Sequence, residues 1–291
     1  MSFPEPLLES RTFGRWRIHA IQAGGQQLDG GAMFGVVPKT LWERRIGADA
    51  KNRIPMGMRC LLVEHDDGLV LIDSGAGNKE SAKFHEIYAI ENAGVSGRTA
   101  LESGLAQVGF SPDDVSLVIN THLHFDHAGG NTWRNDGGDV LATFPNARYV
   151  VQRGEYGYAL RANERTSASY FPHNWDPIFA AGRFDLIDGA QELRPGITVR
   201  PTPGHTPYHQ SVVLRSGGET LCFLGDVVPT VHHLPLPWIM GYDVEPLVTL
   251  ESKRALLGEA LASDWELVFE HDAHVGFGRV AMDAKGYRLA E

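Results

Sequence analysis

Short runs of Val, Ile and Leu recur along the chain and predict β-strands. Their apolar residues are continuous rather than alternating with polar ones, which is typical of strands covered on both faces. The predicted strands span 58–64, 69–73, 115–120, 148–152, 197–201, 211–215, 220–224 and 266–270.

Two segments between these strands have helical periodicity. In 99–108, Leu101, Leu105 and Val108 recur on one face. In 246–262, a proline suits the first helical position. The predicted inward face of this second helix consists of Leu247, Leu250, Arg254, Leu257 and Leu261, with Arg254 as a polar interruption. Strands and helices together predict a layered α/β or α+β fold.

Three long segments show neither the apolar runs of the predicted strands nor the periodicity of the predicted helices: 22–55, 161–184 and 229–245. Long irregular segments in compact domains commonly form lids or binding loops. We therefore expect 22–55 to be an N-terminal extension or loop, and the other two to contribute to a pocket. Candidate pocket residues are Met33, Phe34, Phe171, Trp175 and Trp238, although the same side chains could form core or an interface.

The composition is that of a globular protein with an acidic balance. The 291 residues are 43% hydrophobic and 21% charged, and 26 Lys+Arg against 36 Asp+Glu give a net charge of −10. This balance argues against nucleic-acid binding, and no apolar run suits a signal peptide or a membrane span. We therefore expect a cytoplasmic protein, and the absence of a linker favours a single domain over 1–291.

The stretch VSLVINTHLHFDHAGG places four side chains of metal-ligand type directly after a predicted strand: His122, His124, Asp126 and His127. In extended backbone His122 and His124 project to the same side, and the turn that follows brings Asp126 and His127 back toward them. Neutral imidazole and carboxylate suit zinc and other first-row divalent ions. The lack of a nearby Cys argues against a closed structural zinc site.

Three further residues of ligand type follow predicted strands. They are His205 in PTPGHTPYHQ, Asp226 in FLGDVV and His271 in FEHD, with His274 as a nearby alternative to His271. Because the ends of several strands can meet at one rim, we expect these side chains to complete a metal centre. His209 is either a structural histidine or a group that holds a ligand in place.

Together these motifs resemble those of the metallo-β-lactamase superfamily. HLHFDH matches its HxHxDH signature, the remaining ligands follow in its order, and LIDSG at 71–75 is similar to its early LIDTG strand. The resemblance covers about 58–271. It implies a four-layer αββα sandwich with metals at one edge of the two sheets.

The resemblance also implies two divalent ions, zinc first and Mn, Fe or Co as alternatives. The first ion would be held by His122, His124 and His205. The second would be held by Asp126, His127 and His271. Asp226 would bridge the ions, Asp226 and Asp126 are the candidate catalytic carboxylates, and Asp73 would orient a ligand through a hydrogen bond.

Within the superfamily, the chain is most similar to N-acyl-homoserine lactonases and methyl parathion hydrolase. PTPGHTPYHQSVVL and the spacing from Asp226 to His271 carry this similarity. It implies a quorum-quenching type of hydrolase that opens lactones, with a water activated between two metal ions. Phosphotriester or aryl-ester hydrolysis is the alternative. The partner would be a small ester or lactone, and the long N-terminal segment is compatible with a homodimer.

One departure concerns substrate contact, because lactonases carry Tyr at the position of Pro229. His232 is a candidate replacement. Other activities fit less well: a glutathione-thioester hydrolase would have basic residues near the last ligand, where DAHVGFG stands. A redox di-iron protein typically has Glu within the signature, and a metal-binding interaction module would show no ester turnover.

Overall fold

The structure is a computed structural model that describes residues 4–291. The strands are β1 (Leu8–Phe13), β2 (Trp16–Asp29), β3 (Arg53–His65), β4 (Gly68–Ile72), β5 (Val115–Ile119), β6 (Thr132–Arg134), β7 (Val140–Ala142), β8 (Arg148–Gln152), β9 (Phe184–Ile187), β10 (Gln191–Arg194), β11 (Ile197–Pro201), β12 (Gln210–Ser216), β13 (Glu219–Phe223), β14 (Glu266–Val268), β15 (Phe277–Asp283) and β16 (Gly286–Leu289). The α-helices are α1 (Gly30–Phe34), α2 (Lys39–Trp42), α3 (Ala82–Tyr88), α4 (Ala100–Gln107), α5 (Phe125–Ala128), α6 (Arg153–Ala159), α7 (Asp176–Ala180) and α8 (Pro246–Ala262).

The strands form two large sheets that follow one another along the chain. The first has the order β1-β2-β3-β4-β5-β8-β9, and the second runs β10-β11-β12-β13-β14-β15-β16. In the first sheet β4, β5, β8 and β9 are parallel, as are β13 and β14 in the second. The carboxyl ends of these parallel strands lie at the edge that carries the candidate ligands.

The core between the sheets is built from alternate residues of their facing strands. Leu61 and Ile72 of the first sheet belong to one fully buried cluster with Val212, Leu214 and Phe223 of the second. Burial of a side chain of this size contributes roughly 1.5–3 kcal/mol. The two sheets therefore pack face to face over an apolar interior.

Helices cover the outer faces of both sheets. Leu101 and Leu105 of α4 pack against Leu62 on the first sheet, and Leu256 and Leu257 of α8 belong to the cluster that covers the second. The result is a helix–sheet–sheet–helix arrangement, which confirms the predicted αββα sandwich. No helix among residues 4–291 combines the length and apolarity needed to cross a membrane.

The predicted strands all lie at β3, β4, β5, β8 and β11–β14, and α8 has the predicted bounds. The predicted inward face of α8 is confirmed at Leu257 and wrong at Leu247, Arg254 and Leu261. Leu247 is 76% exposed and Leu261 36% exposed, and Arg254 is also exposed. The buried positions are Thr249, Lys253, Leu256, Leu257 and Ala260. The spacing of the leucines does not identify this face, because two of its buried positions, Thr249 and Lys253, are polar.

The irregular segments are only partly as expected. The 22–55 prediction is wrong at both ends, because β2 runs through Asp29 and β3 begins at Arg53. A register shift between Gln22 and Gly25 interrupts the strand period there. Between these strands lie α1 and α2. The 229–245 segment holds only a short 3-10 helix, Val231–His233, as expected of a long connection.

Candidate metal centre

The seven candidate ligands lie in loops that follow strands of both sheets. His122, His124, Asp126 and His127 follow β5, whereas His205, Asp226 and His271 follow β11, β13 and β14. The local geometry differs from the expected continued strand, because β5 ends at Ile119 and α5 begins at Phe125. A tight turn and one helical turn, rather than strand alternation, bring the first four side chains together.

The donor atoms form two compact groups. Those of His122, His124, His205 and Asp226 lie within 4.8 Å of one another, and so do those of Asp126, His127 and His271. Asp226 touches both groups, since Oδ2 is 3.0 Å from His205 Nε2 and Oδ1 is 3.0 Å from His271 Nε2. The geometry could hold two ions with one carboxylate between them.

Hydrogen bonds on the far side of the rings fix the direction of the lone pairs. His271 Nδ1 donates to the Gly57 carbonyl at 2.7 Å, and His127 Nδ1 donates to Asp73 Oδ2 at 3.0 Å. The two Nε2 atoms then face each other at 3.1 Å. The two nitrogens are directed at the same point, where either a shared proton or a metal cation is needed to offset the repulsion of their lone pairs. This arrangement fits a metal.

The first group shows the same arrangement. His205 Nδ1 is 3.0 Å from Asp243 Oδ1, so its Nε2 is directed at His124 Nδ1, 3.1 Å away. His122 Nε2 and Asp226 Oδ1 are buried without a well-aligned hydrogen-bond partner among residues 4–291. Buried polar atoms of this kind are normally satisfied. Their donor types suit zinc or another first-row divalent ion.

The charges of the cluster depend on neighbouring groups. Burial and the nearby imidazoles lower the pKa of His122 and His124 well below the ordinary value, which leaves them neutral. Burial also lowers the pKa of His205, but Asp226 and Asp243 outweigh it and raise the pKa to about 10. A metal at His205 must therefore displace a tightly held proton.

Asp73 and His209 both form hydrogen bonds with candidate ligand residues. Asp73 is fully buried and accepts hydrogen bonds from the Thr121 amide at 2.8 Å and hydroxyl at 2.7 Å, besides its contact with His127. His209 Nε2 accepts from the Asp226 amide at 3.0 Å. Asp73 and His209 are thus each bonded to a candidate ligand residue, and their assignment as orienting groups stays a prediction.

Several neighbours of the ligands were not predicted. Gln26 Nε2 donates to Asp126 Oδ2 at 2.5 Å, and Glu155 accepts from the amide of Leu123. Glu270 Oε1 lies 3.0 Å from His127 Nδ1, beside the bond to Asp73. Of these, only Glu270 has a local signal, because it directly precedes His271.

A cavity of about 230 Å³ opens over the cluster. Its floor contains His124, Asp126, His205, Asp226 and His271. The apolar part of its wall consists of Leu28, Met33, Phe125, Met240 and Val244, with Tyr88 and Tyr242 beside them. Arg165 is the one Lys or Arg in this lining, and its guanidinium donates to the Gly241 and Asp243 carbonyls at 2.8 and 3.0 Å. The cavity is suited to an uncharged, partly apolar ligand.

Of the candidate pocket residues, the structure brings only Met33 to this cavity. Phe34 is fully buried and stacks on His233, with a centroid distance of 4.7 Å, and Trp238 packs edge-on against it at 5.6 Å. These rings form a small core between 22–55 and 229–245. The expectation that Phe34 and Trp238 line the pocket is corrected accordingly.

The other three candidates also lie elsewhere. Trp175 is fully buried beside Tyr170, and Phe171 packs against Phe84 and Phe125, outside the lining. His232 lines a separate cavity. The aromatic or polar character of these three side chains does not predict where they lie, because long-range packing determines their positions. His274 is exposed and lines the same separate cavity, so geometry favours His271 as the ligand.

Comparison with known proteins identifies the same family that the sequence motifs resemble. The family model for the metallo-beta-lactamase superfamily matches residues 57–263. The N-acyl homoserine lactonase AiiA of Bacillus thuringiensis subsp. kurstaki is 33% identical over 171 residues, or 54% of this chain. The match spans 58% of that relative's own length.

Two solved structures are similar over nearly the whole chain. A probable metal-dependent hydrolase from Staphylococcus aureus has a TM-score of 0.86 and 29% identity, covering 97% of this chain and 99% of its own. AidC, a dizinc quorum-quenching lactonase, has a TM-score of 0.79 and 20% identity, covering 97% of this chain and 96% of its own. The second similarity is one of fold.

Proposed function

Because the chain belongs to the metallo-beta-lactamase superfamily, we propose that it is a binuclear metal-dependent hydrolase that opens neutral lactones of the N-acyl homoserine lactone type. The observation that carries this proposal is the convergence of His and Asp donors into two groups that share Asp226, at the floor of a largely apolar cavity. Similarity to a relative named as an N-acyl homoserine lactonase supports the substrate class.

The ligands divide between two ions, for which zinc is the first choice and Mn, Fe or Co the alternatives. His122, His124 and His205 would hold the first, Asp126, His127 and His271 would hold the second, and Asp226 would be shared by both. When bound, such ions polarise a carbonyl oxygen and lower the pKa of water, which supplies the electrophile and the nucleophile of ester hydrolysis.

The two candidate catalytic carboxylates, Asp226 and Asp126, both face the cavity in which the substrate would react. Burial raises the pKa of Asp226, but His271 and His205 outweigh it and hold the pKa well below the ordinary value, so the group is ionised. It borders the cavity and can accept a proton from attacking water and return it to the leaving alkoxide. Asp126 also borders the cavity, and Gln26 fixes its orientation.

The cavity favours uncharged substrates. Among residues 4–291, the lining offers no free Lys or Arg side chain to a substrate carboxylate, because the Arg165 guanidinium is already bonded to two backbone carbonyls. An acyl chain can instead lie along Leu28, Met33 and Met240. The hydroxyls of Tyr88 and Tyr242 make no hydrogen bond to other groups in 4–291 and are free to contact an amide, in place of the group missing at Pro229.

The test combines metal analysis with a substrate panel on the purified chain. We expect about two divalent ions per chain, turnover of N-acyl homoserine lactones that a chelator abolishes and zinc restores, and no turnover of a β-lactam that carries a carboxylate. Cleavage of an aryl phosphotriester or aryl ester without lactone turnover would move the assignment to that alternative activity. A protein that binds no metal would overturn the proposal altogether.

A further inference from the structure

Glu155 is a fully buried carboxylate whose two oxygens are both hydrogen-bonded. Oε1 accepts from the Leu123 amide at 3.1 Å and from the Tyr170 hydroxyl at 2.8 Å. Oε2 accepts from the Thr206 hydroxyl at 2.7 Å. Glu155 lies in α6, just after β8, and its partners come from three different loops. One side chain therefore ties three loops together.

Each of these partners is adjacent to a candidate ligand of the first ion. Leu123 lies between His122 and His124 in the chain, and Thr206 directly follows His205. The Tyr170 ring packs edge-on against the His124 ring, with centroids 4.7 Å apart. Glu155 reaches the ligands only through these neighbours.

The ligands on either side of Glu155 lie close to the separation that one ion requires. His124 Nδ1 and His205 Nε2 are 3.1 Å apart. Two nitrogens bound tetrahedrally at about 2.0–2.1 Å from a zinc ion lie about 3.3–3.4 Å from each other. The protein therefore holds the two rings near their metal-bound spacing through contacts outside the cluster.

We propose that Glu155 is a positioning residue that sets the spacing of His124 and His205 and thereby the affinity of the first metal site. This inference rests on the proposed metal-dependent function. The second group has its own anchors, since His127 is held by Asp73 and His271 by the Gly57 carbonyl. Loss of the Glu155 contacts should therefore weaken one site and spare the other.

The test uses a matched pair of substitutions at Thr206. Thr206→Val removes the hydroxyl that bonds to Oε2 at nearly constant volume, whereas Thr206→Ser keeps it. Competition between a chromogenic chelator and the protein for Zn²⁺ gives two stepwise affinities. We expect Thr206→Val to weaken one of them about 10-fold or more, within the range for groups that orient ligands. Thr206→Ser should keep the affinity of the unsubstituted protein.

Two further variants identify the site concerned. Glu155→Met, which has no oxygen to accept from Leu123, Tyr170 or Thr206, should weaken the same step as Thr206→Val. Gln26→Leu, which removes the donor to Asp126, should weaken the other step, and the effects of Glu155→Met and Gln26→Leu should add, since they act on different ligands. In the Co²⁺-loaded protein, each variant should change the visible absorption of the ion at the affected site and leave the absorption of the other ion unchanged.

The readouts separate positioning from general stabilisation. A purely structural role would lower the unfolding free energy of the metal-free protein and leave both metal affinities unchanged, and that result would overturn the proposal. Equal weakening of both steps by Thr206→Val would also overturn it. Failure of the proposed function is a different outcome, because the unsubstituted protein would then bind no Zn²⁺.

Discussion

The ammonium group of Lys253 donates a hydrogen bond of 2.8 Å to the backbone carbonyl of Trp238. A second bond of 2.8 Å reaches the Pro235 carbonyl, and the side chain is fully buried. These bonds join α8 on the outside of the sandwich to the 229–245 segment. That segment carries Met240 and Tyr242 into the cavity wall, so an outer helix determines part of the pocket.

Lys253→Met tests this connection. The substitution retains an apolar chain but leaves buried carbonyls without their donor, at a cost of about 1–3 kcal/mol in unfolding free energy. Denaturant unfolding should show this loss, and KM should rise because the wall is less well fixed. The neighbouring Arg254→Met is the control, since Arg254 is exposed and should change stability by less than about 0.5 kcal/mol. Equal effects of both substitutions would contradict the assigned role.

Asp226→Asn removes the charge shared by the two ligand groups. We expect the fold to persist while metal retention and turnover fall by about 100-fold or more, because the amide cannot bridge two cations. Metal content after dialysis and kcat/KM measure the two effects. Asp188→Asn, at an exposed position, is the matched control, with little change expected. Turnover near that of the unsubstituted protein would rule out the bridging assignment.

The pKa of His205, raised to about 10 in the absence of metal, predicts a pH-dependent contribution to stability. Protonated His205 stabilises the metal-free fold fully below its unfolded-state pKa, about 6.5, and this contribution is lost as the pH rises to about 10. His205→Gln should therefore destabilise the metal-free protein more at pH 6 than at pH 10. Paired denaturation curves at both pH values measure it. A larger loss at pH 10 would reverse the expected sign.

Gly130 packs against the chain directly after β4. A Cβ there would lie 2.0 Å from the Ser74 carbonyl oxygen, so the two segments would have to move apart. Gly130→Ala should lower the unfolding free energy by about 1–3 kcal/mol and reduce metal occupancy, because α5 with Asp126 and His127 shifts as well. Gly47→Ala is the control, since nothing lies within 4 Å of its added Cβ. A stable, fully metallated Gly130→Ala protein would contradict the steric assignment.

The sequence predicts the interior strands well and the longer β2 poorly. Interior strands such as β5 are covered on both faces, so continuous apolar residues identify them. In β2, by contrast, Gln22 and Gln26 are buried, and Gln26 is bonded to Asp126, which lies 100 residues away. Polar residues at buried positions interrupt the apolar pattern by which a strand is recognised, and no local pattern encodes their partners.

The convergence of the candidate ligands is predictable for a similar reason, because four of them lie together and each of the others follows an apolar strand. The residues around them are not. Glu155 reaches Thr206 across 51 residues of sequence, and Phe34 packs against Trp238 rather than toward the cavity. Tyr242 became part of the wall only because the 229–245 segment folds over the sheet edge. Tertiary packing decides each of these positions.

The two sheets follow one another along the chain, so the candidate donor residues divide into an N-terminal set and a C-terminal set. The first sheet is complete at Ile187 and the second begins at Gln191, and each sheet carries part of the donor set. A polypeptide cut within this short connection would give two fragments that must reassemble through their apolar faces before any complete donor group exists. Metal-dependent turnover would then serve as a complementation signal, which makes this connection a natural place to divide the protein into a split reporter.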